Sequence, residues 1–417
     1  MKTILHICDW YHPIGGAEKL LFDTLHLVED AGHRNVIVYN DHPNQRPSGQ
    51  RPEYACEGLE QSFSYFYPWL RAQQERTRRR LAEVIAKHNP DVCHIHNLQN
   101  PFVHEYLTET LPCVRSIHDP RLYCFTYWRL LPDNRVCPYP LGRECIRQGC
   151  ISPGPVPRNT FDLNARWVVR TKHAHRKMPV LIGESRAQIE CMLENGFPAE
   201  QIAWLPNFTP LAPESEVRGF LKAHFDPAEK IVLFVGRASY EKGAEVLLEA
   251  ARHVRTGCRV VLITAGPLLE KLQRQAASTG GRVQVIPGLP YDETRLWYAR
   301  SSVVIVPSVW IESFCLVGLE AYANMKPIIG SRIGGIKDWL KDGQTGWFFE
   351  PGNASELAAK IDSALADPAA LQSMGETAYR RAASYYSSDI YLPRLLDIYR
   401  RGIESFNKRS ANACCAR

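Results

Sequence analysis

The chain has 417 residues, of which 45% are hydrophobic and 23% charged. A single core rarely grows past about 250–300 residues, so two or three domains are expected, and disordered, collagen-like and low-complexity classes are excluded. The net charge of +6, from 50 basic and 44 acidic residues, is too mild to mark a nucleic-acid binder.

The charge is uneven. Residues 66–186 hold 19 Lys/Arg against 10 Asp/Glu, an excess that suits an anionic substrate or acidic headgroups. No run reaches the ~18–20 apolar residues that span a bilayer. The N-terminal run Ile4-Leu5-His6-Ile7-Cys8 is broken by His6 and stopped by Asp9, so it reads as a buried strand rather than a signal peptide, and a cytoplasmic location is expected. With no export signal, the 13 scattered cysteines do not suggest a disulfide framework.

Short apolar runs predict strands at 3–8, 35–39, 92–95, 113–117 and 179–183, then at 231–235, 259–264, 283–286, 303–306 and 327–330. Amphipathic stretches predict helices between them, at 17–31, 69–88, 244–254, 268–278, 292–299 and 315–325. Continuous apolar strands alternating with helices imply parallel sheets covered on both faces. The pattern of strand, glycine-containing loop, helix and strand at 3–39 restarts at 231–264, across a Pro-rich polar stretch, 206–229, that reads as a linker. Two doubly wound α/β domains are therefore expected, facing each other with the cleft at the carboxyl ends of the strands. Near the C-terminus, Asn353 with Glu356 three residues later predicts a capped helix at 355–366. Helical segments follow at about 371–385 and 389–406, and the polar tail 407–417 is expected to fray.

Three stretches carry candidate chemistry. Gly15 and Gly16, with Ala17 and Glu18, follow the first strand. Two glycines there let the backbone approach a ligand at a helix N-terminus, or simply make a tight turn. Gly236 and Arg237, with Lys242 and Gly243, occupy the same point of the second half, where two cations near a helix start suit a diphosphate. Glu312, Ser313, Phe314, Cys315, Leu316 and Glu320 follow the strand at 303–306. A carboxylate there can accept a pair of hydrogen bonds from vicinal hydroxyls, and free N–H groups at 314–316 can hold a phosphate.

Together these stretches resemble glycosyltransferase family 4, the retaining nucleotide-sugar transferases with the GT-B fold. The matching text is GGAE at 15–18, HD at 118–119, VGR…KG at 235–243, PS…ESF…LEA at 307–321, GSRIGGIKDWL at 330–340 and DGQTGWFFEPGN at 342–353. The likeness spans nearly the whole chain and is far more specific in its second half. It implies two Rossmann-like domains: 1–208, which binds the acceptor and is joined by a returning helix at 389–406, and 209–388, which binds the donor. It further implies that Arg237 and Lys242 neutralise the leaving diphosphate, that Glu320 binds ribose hydroxyls, and that Glu312 binds the donor sugar beside the backbone of Phe314 to Leu316. Gly16 would give the donor room, His118 would orient the sugar and assist transfer, and Gly288 and Leu289 would seat the base. No cofactor is implied for catalysis, because the cations replace a metal.

Two departures stand out: Cys315 and Asn324-Met325 occupy positions where the family has Gly and Cys-Gly. A Cβ at Cys315 is expected to narrow the approach of the phosphate.

Outside those motifs, Cys124, Cys137, Cys145 and Cys150 fall within 27 residues of a Pro- and Gly-containing stretch. Four thiolates there suit structural zinc, with an iron–sulfur cluster as second choice, against a loop of unligated thiols. Arg76, Arg78, Arg79 and Arg80, preceded by Tyr67 and Trp69, form a basic and aromatic helix face that can rest on an anionic membrane or simply be solvated. The leading function is a retaining transferase moving a sugar from a UDP- or GDP-sugar to a glycan or lipid-linked acceptor in cell-surface polysaccharide synthesis, with no nucleic-acid partner. A sugar-nucleotide epimerase of the same fold and a non-catalytic nucleotide-sugar-binding scaffold are the alternatives.

Overall fold

The structure, a computed structural model, describes all residues except 13–14, 46, 60–67, 99, 125–127, 151–169 and 416–417. The chain divides into two units, Met1–Pro206 with Tyr391–Arg417, and Asn207–Ile390.

In the first unit, β1 (Thr3–Cys8), α1 (Gly16–Asp30), β2 (Arg34–Asn40) and β3 (Glu53–Cys56) lead through α2 (Pro68–His88) to β4 (Val92–Ile95). Then come α3 (Pro101–Thr110), β5 (Cys113–Ile117), the short α4 (Arg143–Arg147), β6 (Val180–Gly183), α5 (Arg186–Glu194) and β7 (Ile202–Trp204). All seven strands are parallel, in the order β3-β2-β1-β4-β5-β6-β7. The order reverses between β1 and β4, the switch point where such sheets open a crevice beyond the strands' carboxyl ends.

The second unit begins with α6 (Glu214–His224), β8 (Ile231–Arg237), α7 (Ala244–His253), β9 (Arg259–Ala265), α8 (Leu269–Ala277) and β10 (Val283–Pro287). It continues with α9 (Tyr291–Arg300), β11 (Val303–Val306), α10 (Leu316–Ala323), β12 (Ile328–Ser331), α11 (Ile336–Trp339), β13 (Gly346–Phe349), α12 (Ala354–Ala366) and α13 (Pro368–Tyr385). Its sheet is also parallel, ordered β10-β9-β8-β11-β12-β13, with the switch point between β8 and β11.

Alternation along β8 shows why both faces must be covered. Val232 and Phe234 pack with Leu247, Leu357 and Ile361 on one face, and Ile231 and Leu233 with Tyr298, Leu319 and Trp339 on the other. Side chains of a strand point alternately to the two faces, so an unbroken apolar run needs helices on both.

Three strands and five helices escaped sequence reading, the helices being α3, α5, α6 and the short α4 and α11. β3, β7 and β13 are edge strands of three or four residues, too short for a periodic signal. α3 and α5 carry Asn and Ser caps that accept from Phe102 N and Gln188 N. The stretch read as a linker contains α6, whose Val217 packs on Met325 and Tyr379. The capped start at Asn353 is as expected, its side chain accepting from Glu356 N at 3.1 Å. The last helix, α14 (Ser388–Cys415), runs through the segment expected to fray.

Candidate active site

In the second unit, candidate residues gather at the carboxyl ends of β8 and β11. After β8, Gly236 and Arg237 lead into a turn at Tyr240–Lys242, and Gly243 opens α7 with φ 69°. A Cβ at Gly243 would stand 1.8 Å from the carbonyl oxygen of Pro307, so only glycine lets the two loops approach. Val309 N donates to Glu241 O at 3.0 Å and ties them again.

These loops pair opposite charges. Lys242 Nζ lies 2.7 Å from Glu312 Oε1, and 5.1 Å from the centre of the Trp310 ring. Ser308 Oγ donates to the same Glu312 oxygen at 2.6 Å. Burial, the largest single influence, pulls the Lys242 pKa down, but the charge and hydrogen bond of Glu312 together with its other neighbours, Glu241 among them, outweigh it, and the ammonium is held above its ordinary range. Arg237 Nη2 lies 2.7 Å from Glu241 Oε1, which also accepts from Ser239 Oγ at 2.6 Å. The Arg237 side chain is 52% exposed and Lys242 23%.

Glu312 itself is 3% exposed. Its loop is held from below, where Gly335 N donates to Glu312 O at 2.8 Å and Gly334, at φ 53°, would place a Cβ 2.5 Å from the Glu312 backbone. Ser313 is buried, Phe314 is buried against Tyr386, and the Phe314 carbonyl accepts from the Trp339 indole at 2.7 Å.

Cys315 precedes α10 with φ 74° and ψ 85°, the left-handed region that favours glycine. Burial, then the Glu312 charge, pushes its thiol up to about 12, so it stays protonated. Leu316 begins α10, whose first-turn amides lack intrahelical acceptors. Glu320, one turn in, accepts from Tyr298 OH at 3.0 Å. Gly288 and Leu289 join β10 to α9, and the Leu289 carbonyl faces Thr294 Oγ1 at 3.5 Å.

In the first unit, Gly15 is extended at the start of α1 and Gly16 is its first residue. A Cβ on Gly15 would meet Glu18 Oε2 at 2.8 Å. His118 follows β5, its side chain 4% exposed. Its Nδ1 lies 2.5 Å from Glu184 Oε1 and its Nε2 3.4 Å from His96 Nδ1. Asp119 caps the turn at Pro120–Leu122 and pairs with Arg121 at 2.7 Å.

Residues 14–212 match the family model Glycosyltransferase Family 4, and residues 220–381 match Glycosyl transferases group 1. The chain belongs to glycosyltransferase family 4.

Among curated relatives of this family 4 chain, the α-D-kanosaminyltransferase of Streptomyces kanamyceticus is 29% identical over 247 residues, 57% of the chain and 63% of the relative. D-inositol 3-phosphate glycosyltransferase 2 of Catenulispora acidiphila is 32% identical over 204 residues, 46% of the chain and 47% of the relative. The chain thus matches only about half to two-thirds of the length of such relatives. Two solved structures share the fold along nearly all of both chains. Sucrose-phosphate synthase from Thermosynechococcus elongatus gives a TM-score of 0.71 at 19% identity, covering 96% of this chain and 99% of that one. Anabaena HepE, in complex with UDP and glucose, gives 0.69 at 18%, covering 95% and 99%. The fold is GT-B.

Reading the family 4 sequence missed the partners of its own candidates. Glu241, Ser308 and Tyr298 bind Arg237, Glu312 and Glu320, yet a lone Glu, Ser or Tyr in a loop or helix carries no signal. It also missed a histidine cluster in which ligand atoms of His6, His94 and His96 lie within 4.8 Å of one another. By distance this trio could hold a metal ion. Each of its six ring nitrogens, however, has a hydrogen-bond partner: Asn35 and His96 for His6, Tyr399 and Ser116 for His94, His6 and His118 for His96. The spacing of His94 and His96, two apart at a strand end and so on one face, was the available clue.

The four cysteines of the loop after β5 are drawn into one neighbourhood. Burial first, then the thiols of Cys145, Cys137 and Cys124, pushes the Cys150 thiol up. Among the described residues they do not form a group of three ligand atoms as close as the histidines. On the basic helix, Arg76, Arg78 and Arg80 pair with Glu57, Glu75 and Glu83, which offsets much of its charge. Tyr67 and the Trp69 side chain lie outside the described residues. Among the described residues no helix is long and apolar enough to cross a membrane.

Proposed function

We propose that the chain transfers a sugar, with retention of configuration, from a nucleoside-diphosphate sugar to a glycan or lipid-linked acceptor. The observation that carries this reading is the pair of compensated cations at the β8–β11 switch point. Lys242 and Arg237 sit on carboxylates, Glu312 and Glu241, that a diphosphate can replace, in a loop pair fastened by Gly243 and Pro307. Lys242 and Arg237 bind the departing diphosphate, and the first-turn amides of α10 add partial positive charge. Glu312, released from Lys242, accepts from donor-sugar hydroxyls, and Glu320 from the ribose. Gly288 and Leu289 carry the base by backbone contacts, and Gly15 and Gly16 leave the donor room. The unit Asn207–Ile390 is the donor domain and the other unit takes the acceptor. The reacting bond breaks between the anomeric carbon and the diphosphate oxygen, and the acceptor oxygen bonds to that carbon on the same face.

The names of relatives support this. The curated ones are glycosyltransferases, and the HepE structures hold UDP and UDP-glucose. Calorimetric titration with UDP, GDP and ADP tests it. Wild type is expected to bind one of the three, and Arg237→Ala with Lys242→Ala to weaken that binding about 100-fold or more, the loss of two charge-assisted contacts. Absence of binding to all three overturns the donor site.

Two accessory features belong to the same reading. Zinc on Cys124, Cys137, Cys145 and Cys150 orders the loop after β5, supported by the proximity of the four thiols. One zinc per chain, lost in Cys145→Ser, is expected, and a metal-free protein overturns it. Peripheral contact with anionic membrane is supported by the excess of positive charge in residues 66–186. Co-sedimentation with phosphatidylglycerol vesicles but not with phosphatidylcholine ones is expected.

A further inference from the structure

A line of hydrogen bonds crosses the first sheet diagonally, from the start of β2 to just beyond the carboxyl end of β6. Asn35 lies on β2, His6 on β1, His96 just past β4, His118 just past β5 and Glu184 just past β6. In sheet order these five strands are consecutive neighbours. His6 Nε2 meets Asn35 Oδ1 at 3.0 Å, His6 Nδ1 meets His96 Nε2 at 3.2 Å, His96 Nδ1 meets His118 Nε2 at 3.4 Å, and His118 Nδ1 meets Glu184 Oε1 at 2.5 Å. The rings stack as well, with centroids 5.5 Å apart for His6 and His96 and 5.7 Å for His96 and His118. All five side chains are buried, with His6 at 0% and His96 at 4% exposure and the His118 side chain at 4%.

The protons of this line can be counted. It contains four hydrogen bonds, and each needs one proton. With Glu184 ionised its two ends only accept: Glu184 as a carboxylate, and Asn35 through Oδ1, because the Asn35 amide nitrogen donates to Leu25 O at 2.8 Å and so fixes the amide's orientation. Three neutral imidazoles bring one proton each. One proton is missing. Supplying it makes one ring an imidazolium, and that charge also compensates the buried Glu184 carboxylate, which would otherwise be costly. Burial pushes the His6 pKa down to about 3 and that of His96 well below the ordinary histidine range, so neither holds the extra charge. Arg115 and His94 face His96 and disfavour positive charge there, whereas Glu184, which also faces Tyr391, draws the charge to the other end.

We propose that Asn35, His6, His96 and Glu184 are positioning residues that hold His118 as an imidazolium with both ring protons committed. The consequence for the transfer rests on the function proposed above. A His118 that already carries both protons cannot take one from the acceptor hydroxyl, so that proton goes to an oxygen of the departing diphosphate. The broken and formed bonds are those already named, and no other reactant is needed.

Nitrogen-15 histidine spectra of the full-length protein without ligand test this. At pH 8, where exposed imidazoles are neutral, wild type is expected to show one histidine with both nitrogens protonated, absent from His118→Asn. Glu184→Gln is expected to fold and to lose that signature, because the Gln amide donates to His118 Nδ1 and provides the fourth proton. Asn35→Asp, which keeps an acceptor at the end, retains it.

His96→Leu and Asn35→Leu separate the relay from a simple ion pair. Each removes the demand for the extra proton, so each loses the imidazolium if the relay holds. Its persistence in a folded form of either overturns the proposal. So does a metal that co-purifies one per chain and is lost in His96→Leu but kept in Cys145→Ser. Because no nucleotide is present in these spectra, their outcome is independent of the donor titration: binding without an imidazolium sinks the relay alone, and an imidazolium without binding sinks the function alone.

Discussion

The two units equip the same kind of parallel sheet with opposite materials. At the β8–β11 switch point of the second unit, cations and carboxylates pair on loops, with Arg237 half exposed and Lys242 23% exposed. Across β2 to β6 of the first unit, buried imidazoles bond to one another between an amide and a carboxylate. A charged ligand can reach these cations from the solvent side, while the buried carboxylates it displaces keep their serine hydrogen bonds. A buried hydrogen-bonded line has no such exchange, because any group it loses leaves others unsatisfied. The first arrangement suits a site that opens and closes around an anion. The second suits one that keeps a side chain in a single protonation state.

If that contrast is right, substitutions within the buried line should cost stability and those at the exposed cation Arg237 should cost binding, with both lost at the less exposed Lys242. The largest expected effect is for His96→Ala, which orphans His118 Nε2 and His6 Nδ1 and leaves a cavity. About 4 kcal/mol of stability is lost, read from denaturant unfolding. A loss below 1 kcal/mol would break the comparison.

Next comes Lys242→Met, which strands the buried Glu312 carboxylate and costs about 3 kcal/mol. Adding Glu312→Leu should recover part of it. The Lys242 pKa is raised above its reference of 10.5, so the pair's contribution is complete below 10.5 and is lost only as the pH climbs through the higher folded value. The difference between Lys242→Met and wild type should therefore be constant from pH 7 to 9.

Lys326 behaves in the opposite sense. Burial lowers its pKa to about 7, with the ammonium 4.4 Å from the Phe225 ring centre. Between 7 and 10.5 the unfolded chain binds the extra proton, so stability rises with pH over that window. Lys326→Met should flatten the rise and add roughly 1–3 kcal/mol at pH 6. Melting temperatures at pH 6, 7.5 and 9 check this, and an unchanged slope refutes it.

Cys315→Gly should add about 1 kcal/mol by relieving the left-handed backbone of a side-chain-bearing residue, with donor binding kept or improved. The smallest effect sharpens the contrast from the other side. Arg237→Ala should change stability by less than about 0.5 kcal/mol while weakening nucleotide binding about tenfold or more. A large stability loss would mean that Arg237 is a structural residue.

Legibility in the sequence followed the same division. The second unit's candidates lie in short motifs, VGR…KG and ESF…LEA, where charge and glycine are close together in the chain and announce a loop entering a helix. The relay's members sit at 6, 35, 96, 118 and 184. They meet only because parallel strands β2, β1, β4, β5 and β6 lie side by side, and a single histidine in an apolar run carries no sign of its partner. Edge strands β3, β7 and β13 were hidden by their brevity. Helix α6 was hidden by the prolines around it, although proline just before a helix start is compatible with one.

By itself the sequence determined the alternation of apolar strands and amphipathic helices, the single restart of that pattern, and the charged loops after β8 and β11. All of these are local: side-chain periodicity, turn residues and spacing act over a few residues. Only the tertiary structure decided that Glu312 meets Lys242, and that three imidazoles join hands between Asn35 and Glu184. Those are contacts between segments tens of residues apart, set by strand order in a parallel sheet, and strand order is a property of the folded chain rather than of any stretch of it.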